Sequence, residues 1–384
     1  ENALTTAHAL APRIVLHGTA FNRGQAYGAA ARDRIAQSLE TYQRMFDAVD
    51  LSWPQAVARA EPFEQIIGNT FPVIVDELRG VASGSGVDFG SLLALNCRTE
   101  LLPPNFLALA SASSGAALPD GGHINECTSF AVAPGDANVL LAQNWDWIGP
   151  QRDALVVLEQ HPDQGLAHLT VAEAGMMAKI GFNERGLGVT LNILRSQDDG
   201  SRAGMPVHAL LRGLLDCQDV DEATELALGL SYAGSSNIMI ADPQGRIASL
   251  ECSPRGAVAL PARREGARAS LCHTNHFCDA TLGKHEANLA GNLSTTERLN
   301  RAHELIDSVV DVPSAGQLLS DTSDGMQSIC RFPDPEMPLA GRIETVVSTI
   351  LDLSARELHL SAAQPSITPY QRIALEAQAV GADD

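Results

Sequence analysis

Apolar positions in the first third of the chain recur every three or four residues. Tyr27, Ala31, Ile35, Leu39, Tyr42 and Phe46 fall on one stripe, which predicts a helix capped by Asn22 and running to about Met45. Further helical segments are predicted at 54–67, at 71–82 (ended by Ser83-Gly84-Ser85-Gly86) and at 88–102. Residues 103–122 break the pattern with Pro-Pro-Asn, Ser-Ala-Ser-Ser-Gly and Pro-Asp-Gly-Gly and read as a loop or linker. From residue 128 the period changes to two. Thr128, Phe130 and Val132 alternate with Ser129, Ala131 and Ala133, and Pro134 to Asn138 supply a turn into a second strand at 139–147. More strands are predicted at 154–160, 167–173, 177–182, 186–194, 237–241, 246–251, 343–353 and 357–360, and helices at 206–217 and 220–230. Asn183-Glu184-Arg185-Gly186 and Asp242-Pro243-Gln244-Gly245 carry hairpin and turn chemistry. Ser294-Thr295-Thr296-Glu297 reads as a capping box, followed by the stripe Leu299, Ala302, Leu305, Ile306, Val309.

Many hairpins, with helices in separate blocks, predict an α+β fold: two stacked antiparallel sheets covered by helices on both outer faces. The hairpin at 128–147 also has chemical consequences. With its loop centred near Asp136, Cys127 stands opposite Trp145 or Asp146. A thiol at the first residue of one strand then meets a carboxylate at the end of the next, which suits a tuned nucleophile better than a filler cysteine.

The 384 residues admit one large domain or two small ones, and 45% hydrophobic residues supply an ample core. The formal net charge of −20 argues against nucleic acid and against an anionic membrane surface, both of which need a basic face. No apolar run is long enough to span a bilayer. Residues 1–8 lack the basic and apolar regions of a signal peptide, and the chain starts without Met, so an exported precursor stays open. Seven scattered cysteines (97, 127, 217, 252, 272, 278, 330) suggest reduced thiols and a cytoplasmic location.

Five segments occur in order: Glu126-Cys127-Thr128-Ser129, Gln143-Asn144-Trp145-Asp146, Glu173-Ala174-Gly175 with Lys179 to Asn183, His273-Thr274-Asn275-His276, and Ser328-Ile329-Cys330-Arg331. Together they resemble the acyl-coenzyme A:6-aminopenicillanic acid acyltransferase family, a cysteine branch of the N-terminal-nucleophile (Ntn) hydrolases. Gly18 to Phe21, Leu95 to Glu100 and residues beyond Arg342 extend the likeness over nearly the whole chain. The resemblance implies a single four-layer αββα Ntn-hydrolase domain over 1–384. It also implies a precursor that cuts itself between Glu126 and Cys127, leaving a helical fragment 1–126 bound to a catalytic fragment 127–384.

On this resemblance Cys127 is the nucleophile. Once N-terminal, it carries its own base, because an α-amine titrates near about 7.7–8.0 and a thiol near about 8.5. Asp146 matches the family carboxylate beside the nucleophile, and Asn275 the oxyanion-hole amide. Arg342 matches a family arginine near the substrate, able to pair with a substrate carboxylate or with Asp146. Ser253 matches a position that lines the site. Two departures stand out. Glu126 replaces the Gly that many members place before the nucleophile, and restricts a backbone that self-cleavage has to strain, unless its carboxylate assists the step. Gly341 stands before Arg342 where the penicillin enzyme has Ser, which weakens transfer of that enzyme's substrate.

The leading expectation is a self-processing cysteine amidohydrolase acting on a small N-acyl or aminoacyl amine, with no cofactor. A coenzyme A-dependent N-acyltransferase, acting on an acyl thioester, is the alternative within enzymes. An uncleaved, non-catalytic binding protein on the same fold is the alternative outside them. Cys272-His273-Thr274-Asn275-His276-Phe277-Cys278 also admits a zinc reading. On a strand, however, Cys272, Thr274, His276 and Cys278 would share a face and His273 would point away, so no metal is expected. The partner is a small molecule, and a homo-oligomer stays open.

Overall fold

The computed structural model describes residues 11–103, 126–287, 293–336 and 342–376; the side chains of Glu126 and Leu293 also lie outside the description. The chain opens with strand β1 (Arg13–Gly18) and a helical block: α1 (Ala20–Ala30), α2 (Arg32–Asp47), α3 (Trp53–Thr70), α4 (Pro72–Ser85), α5 (Phe89–Asn96) and α6 (Arg98–Leu101). The apolar stripe of the first expected helix is buried throughout, but the helix is two. Thr19, not Asn22, caps α1, and the backbone turns at Ala31. The turn follows from different partners: α1 lies along α4, whereas α2 packs against the short helical turn Gly149–Ala154. The expected helix at 88–102 likewise divides at Cys97.

The α1–α4 contact is backbone against backbone. Gly24 and Gly28 on α1 face Gly80 and Gly84 on α4. A Cβ at Gly80 would lie 2.2 Å from the Phe21 carbonyl oxygen, and one at Gly24 2.0 Å from that of Glu77. Only residues without a side chain allow this approach.

Strands β2 (Glu126–Ala133) and β3 (Leu140–Ile148) form the expected hairpin. β4 (Leu155–Pro162), β5 (His168–Glu173), β6 (Ile180–Asn183) and β7 (Gly188–Ile193) follow, then α7 (Val207–Leu214) and α8 (Val220–Leu228). Next come β8 (Ser236–Ala241), β9 (Ile247–Ser253), β10 (Gly256–Pro261), β11 (Arg263–Glu265), β12 (Arg268–His273), α9 (Leu293–Leu305), α10 (Val312–Leu319), β13 (Ile343–Asp352), β14 (Glu357–Ser361) and β15 (Gln371–Ala374). One sheet has the order β1-β4-β5-β6-β7-β8-β9-β10, the other β11-β12-β2-β3-β13-β14-β15.

The sheets stack, with β2 and β3 facing β7 and β8 and β12 facing β9. α1 covers β1 and β4, and α8 covers β8 to β10. On the opposite outer face α9 covers β2 and β12, and α10 covers β3 and β13. The fold is thus α+β in four layers. One pair departs from the expected antiparallel sheets: β1 runs parallel to β4. The whole helical block lies between them, long enough for the crossover that a parallel pair requires.

Alternation divides β2 between two cores. Phe130 and Val132 pack with Ala302, Ile306 and Val309 of the α9 stripe, while Cys127, Ala131 and Ala133 face the other sheet. Between the sheets Gln143 of β3 grips the backbone of β7, its Nε2 donating to Leu191 O and its Oε1 accepting from Leu191 N. Ser294 is not an N-cap; it lies inside α9, where its hydroxyl accepts from Arg298 Nε. Among the described residues no helix is long and apolar enough to cross a membrane.

Gly80→Ala tests the helix contact. Ala gains up to about 1 kcal/mol of intrinsic helix propensity over Gly, yet the methyl would meet rigid backbone. We expect a net loss of about 2 kcal/mol in urea unfolding; an unchanged or raised midpoint would refute the contact.

Candidate active site

Cys127 is paired with Trp145, one of the two expected partners, and Asp146 with Glu126. Strand alternation therefore puts the thiol and the Trp145 ring on the face toward the other sheet. The Asp146 side chain falls on the face toward α9 and α10. The Asp146 backbone N–H lies against the sulfur. Burial, then the charge of Asp146, pushes the Cys127 thiol up to about 11.

Asp146 is itself buried. Its Oδ1 accepts from Thr345 Oγ1 at 2.7 Å, while its Oδ2 has no hydrogen-bond partner among the described residues. Burial raises its carboxyl to about 7 against the opposing pull of Arg298 and the Thr345 bond. Thr345 is held in turn by Arg331, whose backbone N–H donates to Thr345 Oγ1 at 2.9 Å. The Asn144 side chain donates to the carbonyls of Leu319 and Ile329. The Ser328–Arg331 segment thus braces the end of β3 that carries Asp146.

Asn275 reaches Cys127 from beyond β12. Its Oδ1 accepts from the Cys127 backbone nitrogen at 2.6 Å, and its Nδ2 donates to Ile193 O at 3.0 Å. No strand runs through residues 272–278, because β12 stops at His273. Past it, Thr295 replaces the ladder: Thr274 Oγ1 donates to Thr295 O, and Thr295 Oγ1 accepts from the Asn275 N–H. This break aims Asn275 at the nucleophile. It also overturns the face argument made against zinc: Cys272 packs with Phe130 under α9, whereas His273, Cys278 and Glu251 bring ligand atoms within 4.8 Å of one another. Glu251 accepts from His273 Nε2 at 2.8 Å and from the backbone N–H groups of Cys278 and Asp279. Burial opposes charge on His273, but Cys278 and Glu251 overrule it and push the imidazole up to about 10. The His273–Glu251 pair stiffens the Asn275 segment.

Arg298 of α9 was not singled out in the sequence. Its guanidinium is fully buried and donates to Cys127 O at 2.5 Å, Thr128 Oγ1 at 3.1 Å and Asn275 Oδ1 at 3.1 Å. It is the cation beside Asp146, a place expected for Arg342. Arg342 instead precedes β13 and donates to Pro335 O at 2.7 Å. Ser253 ends β9, where its hydroxyl accepts from Arg255 N at 3.1 Å within the turn to β10. Neither Arg342 nor Ser253 lines the cavity at Cys127. The Glu126 backbone pairs in β2, while its side chain, the 104–122 linker and Gly341 lie outside the described residues.

The cavity is lined by Cys127, Trp145, Asp146 and Trp147, by Leu191 and Ile193, and by three cations, Arg98, Lys179 and Arg195. Glu173 holds Arg98 at 2.7 Å and Lys179 at 2.9 Å and accepts from the Tyr42 hydroxyl. Lys179 Nζ lies 3.5 Å from the centre of the Trp145 ring, and burial lowers its ammonium to about 8.

Residues 132–366 match the family described as acyl-coenzyme A:6-aminopenicillanic acid acyl-transferase. The chain belongs to this family. The matched segment starts just after Cys127. A member from Emericella nidulans, the 40 kDa form of acyl-coenzyme A:6-aminopenicillanic-acid-acyltransferase, is 25% identical over 83% of this chain and 84% of its own. The β-alanyl-dopamine/carcinine hydrolase of Drosophila melanogaster is 24% identical over 92% of each chain. Among solved structures, a single-residue variant of conjugated bile acid hydrolase from Clostridium perfringens matches 66% of this chain and 100% of its own at 13% identity and a TM-score of 0.45. Penicillin V acylase from Agrobacterium tumefaciens matches 65% and 86% at 13% identity and 0.37. As a member of the acyltransferase family, the chain is an enzyme of amide-bond chemistry.

Two outcomes follow from the geometry. Arg298→Met removes the guanidinium donor from the Cys127 carbonyl and from Asn275 Oδ1, which keeps the Cys127 N–H. It should cost about 3 kcal/mol in urea unfolding and cut Cys127 acylation, and Arg298→Lys, lacking the planar fork, should not restore either. In the continuous chain, alkylation of Cys127 by iodoacetamide should speed up about tenfold per pH unit from pH 8 to 10, as thiolate accumulates toward the raised midpoint. A rate already level at pH 8, followed by mass spectrometry, would contradict the burial argument.

Proposed function

We propose that this protein is a self-processing cysteine amidohydrolase that cleaves a small N-acyl or aminoacyl amine through a thioester on Cys127. One observation carries the reading: the Cys127 nitrogen sits 2.6 Å from Asn275 Oδ1, next to a buried Asp146 whose Oδ2 lacks a partner among the described residues. Scission of the Glu126–Cys127 peptide would turn that nitrogen into an amine. Asn275 and Asp146 are the acceptors that an ammonium there would need.

In the cleaved enzyme the Cys127 amine takes the thiol proton, directly or through water, and the sulfur attacks the amide carbonyl. The side-chain amide of Asn275 stabilises the oxyanion, a contribution of about 2.7–4 kcal/mol for one such donor. As the tetrahedral intermediate collapses, the ammonium returns the proton to the leaving amine. Water then adds to the thioester, its proton passes to the amine, and the free acid departs from the regenerated thiol.

The acyltransferase reading shares every step to the thioester, then lets an amine replace water. The family description and the Emericella relative favour it, and the Drosophila hydrolase favours water. The net charge of −20 gives little attraction for the phosphates of coenzyme A, which places hydrolysis first.

Intact mass spectrometry tests the proposal. Purified protein should separate under denaturing conditions into residues 1–126 and 127–384, and a slowly hydrolysed acyl substrate should add one acyl group to the larger fragment. Cys127→Ala should remain a single inactive chain. An unbroken wild-type chain that turns substrate over would overturn the mechanism. Amide formation outpacing thioester hydrolysis, when acyl-coenzyme A and an amine are supplied together, would move the assignment to the acyltransferase.

A further inference from the structure

The cavity beside Cys127 collects positive charge inside a chain that is strongly acidic. Arg98, Lys179 and Arg195 line it and are all buried. Glu173 is the carboxylate that pairs directly with two of them, Arg98 and Lys179. Burial works against ionisation of Glu173, but these two cations overrule it and hold it well below the usual carboxylate range. Other acids lie nearby. Burial raises Glu100 to about 7 and also pushes Asp199 up, and both act on Arg195. Asp146 turns toward Thr345 and Arg298. His208 is held neutral near neutral pH, since burial lowers it to about 3. Arg195 is held by Thr99 O and by the charges of Asp199 and Glu100.

The Arg98 side chain carries a second sign. It is buried, stacked between Tyr42 and Trp147, and its Nε has no hydrogen-bond partner among the described residues. A buried donor without an acceptor is costly unless a ligand supplies one.

We infer that Arg98, Lys179 and Arg195 form an anion-binding subsite next to Cys127, and that the enzyme selects amides carrying a carboxylate. The inference rests on Cys127 being the nucleophile and adds the substrate class to that reading. The carboxylate can belong to the acyl half or to the amine half of the amide.

A set of nitroanilides separates these sources: glutaryl nitroanilide (carboxylate on the acyl half), a valeryl nitroanilide with a ring carboxylate (on the amine half), plain valeryl nitroanilide and its cationic aminovaleryl counterpart. With the whole protein, one carboxylate substrate should exceed the neutral one in kcat/KM by at least about tenfold, and the cationic one should be poorest. Arg195→Glu should lower the carboxylate-to-neutral ratio about tenfold or more, and Arg195→Lys should keep most of it. Free glutarate should competitively slow acylation of wild-type Cys127, a measurement that needs no variant to fold. Equal turnover of neutral and carboxylate substrates, with no protection by glutarate, would remove the subsite and leave the amidohydrolase standing. If no anilide acylates Cys127, as read by intact mass, the nucleophile assignment fails and the subsite with it.

Discussion

A fully buried guanidinium has to find acceptors, because leaving it without them costs more than most single interactions in a protein supply. Arg298 finds them at the Cys127 carbonyl, Thr128 Oγ1, Asn275 Oδ1 and Ser294 Oγ. These belong to the start of β2, the segment after β12, and α9. Satisfying one cation therefore fixes three elements against one another, and they meet at the candidate nucleophile. Asp146 supplies the nearest opposing charge, and its own burial is tolerated partly because Arg298 is there. Asn275 depends on the same arrangement, since its carbonyl oxygen is shared between Arg298 and the Cys127 nitrogen.

Around this centre the quoted sequence segments act as braces. Ser328–Arg331 reaches Asp146 through Thr345. Lys179, far from Cys127 in sequence, becomes cavity wall, and Glu173 can hold it because Glu173 ends β5 and Lys179 directly precedes β6, its paired neighbour. Gln143, two residues before Trp145, ties the hairpin to β7 in the other sheet. The hydrogen bonds between layers thus concentrate near the end of the β2–β3 hairpin. A slip of one residue there would exchange the faces of Cys127 and Thr128.

Much of this was legible along the chain, for identifiable reasons. The β2–β3 register followed from alternation and a short turn, both local, so the Cys127–Trp145 pairing was within reach. The α9 stripe was read correctly because burial of one helix face is periodic. What escaped was non-local. Nothing near Arg298 in sequence marks it out, since three of its four partners lie 23, 170 and 171 positions away. The break at Ala31 depends on α4, and the end of β12 depends on Thr295. The paired spacings Gly24-x-x-x-Gly28 and Gly80-x-x-x-Gly84 were visible, but their meaning appears only when the two helices are placed together. Arg342 and Ser253 were placed by likeness alone; the first donates to Pro335 O and the second sits in the turn from β9 to β10.

Burial gives the proposed chemistry its order. Cys127 lies where desolvation and the Asp146 charge hold the thiol near about 11, so the sulfur of an unbroken chain is almost wholly protonated at neutral pH. The nitrogen beside it is then a peptide amide, which has no basicity to offer. Liberation of that nitrogen changes two things together: a base appears within reach of the sulfur, and a positive charge appears next to Asp146. In the proposed mechanism that cation would oppose the Asp146 charge, which adds to burial in raising the thiol, and would bring a counter-charge to the carboxylate. The same desolvation that silences the thiol beforehand strengthens these charge interactions afterwards, because low dielectric magnifies attraction as it magnifies cost. A more exposed cysteine would be reactive too early and would gain less from the amine. On this argument the depth of Cys127 is what makes scission and activation a single event.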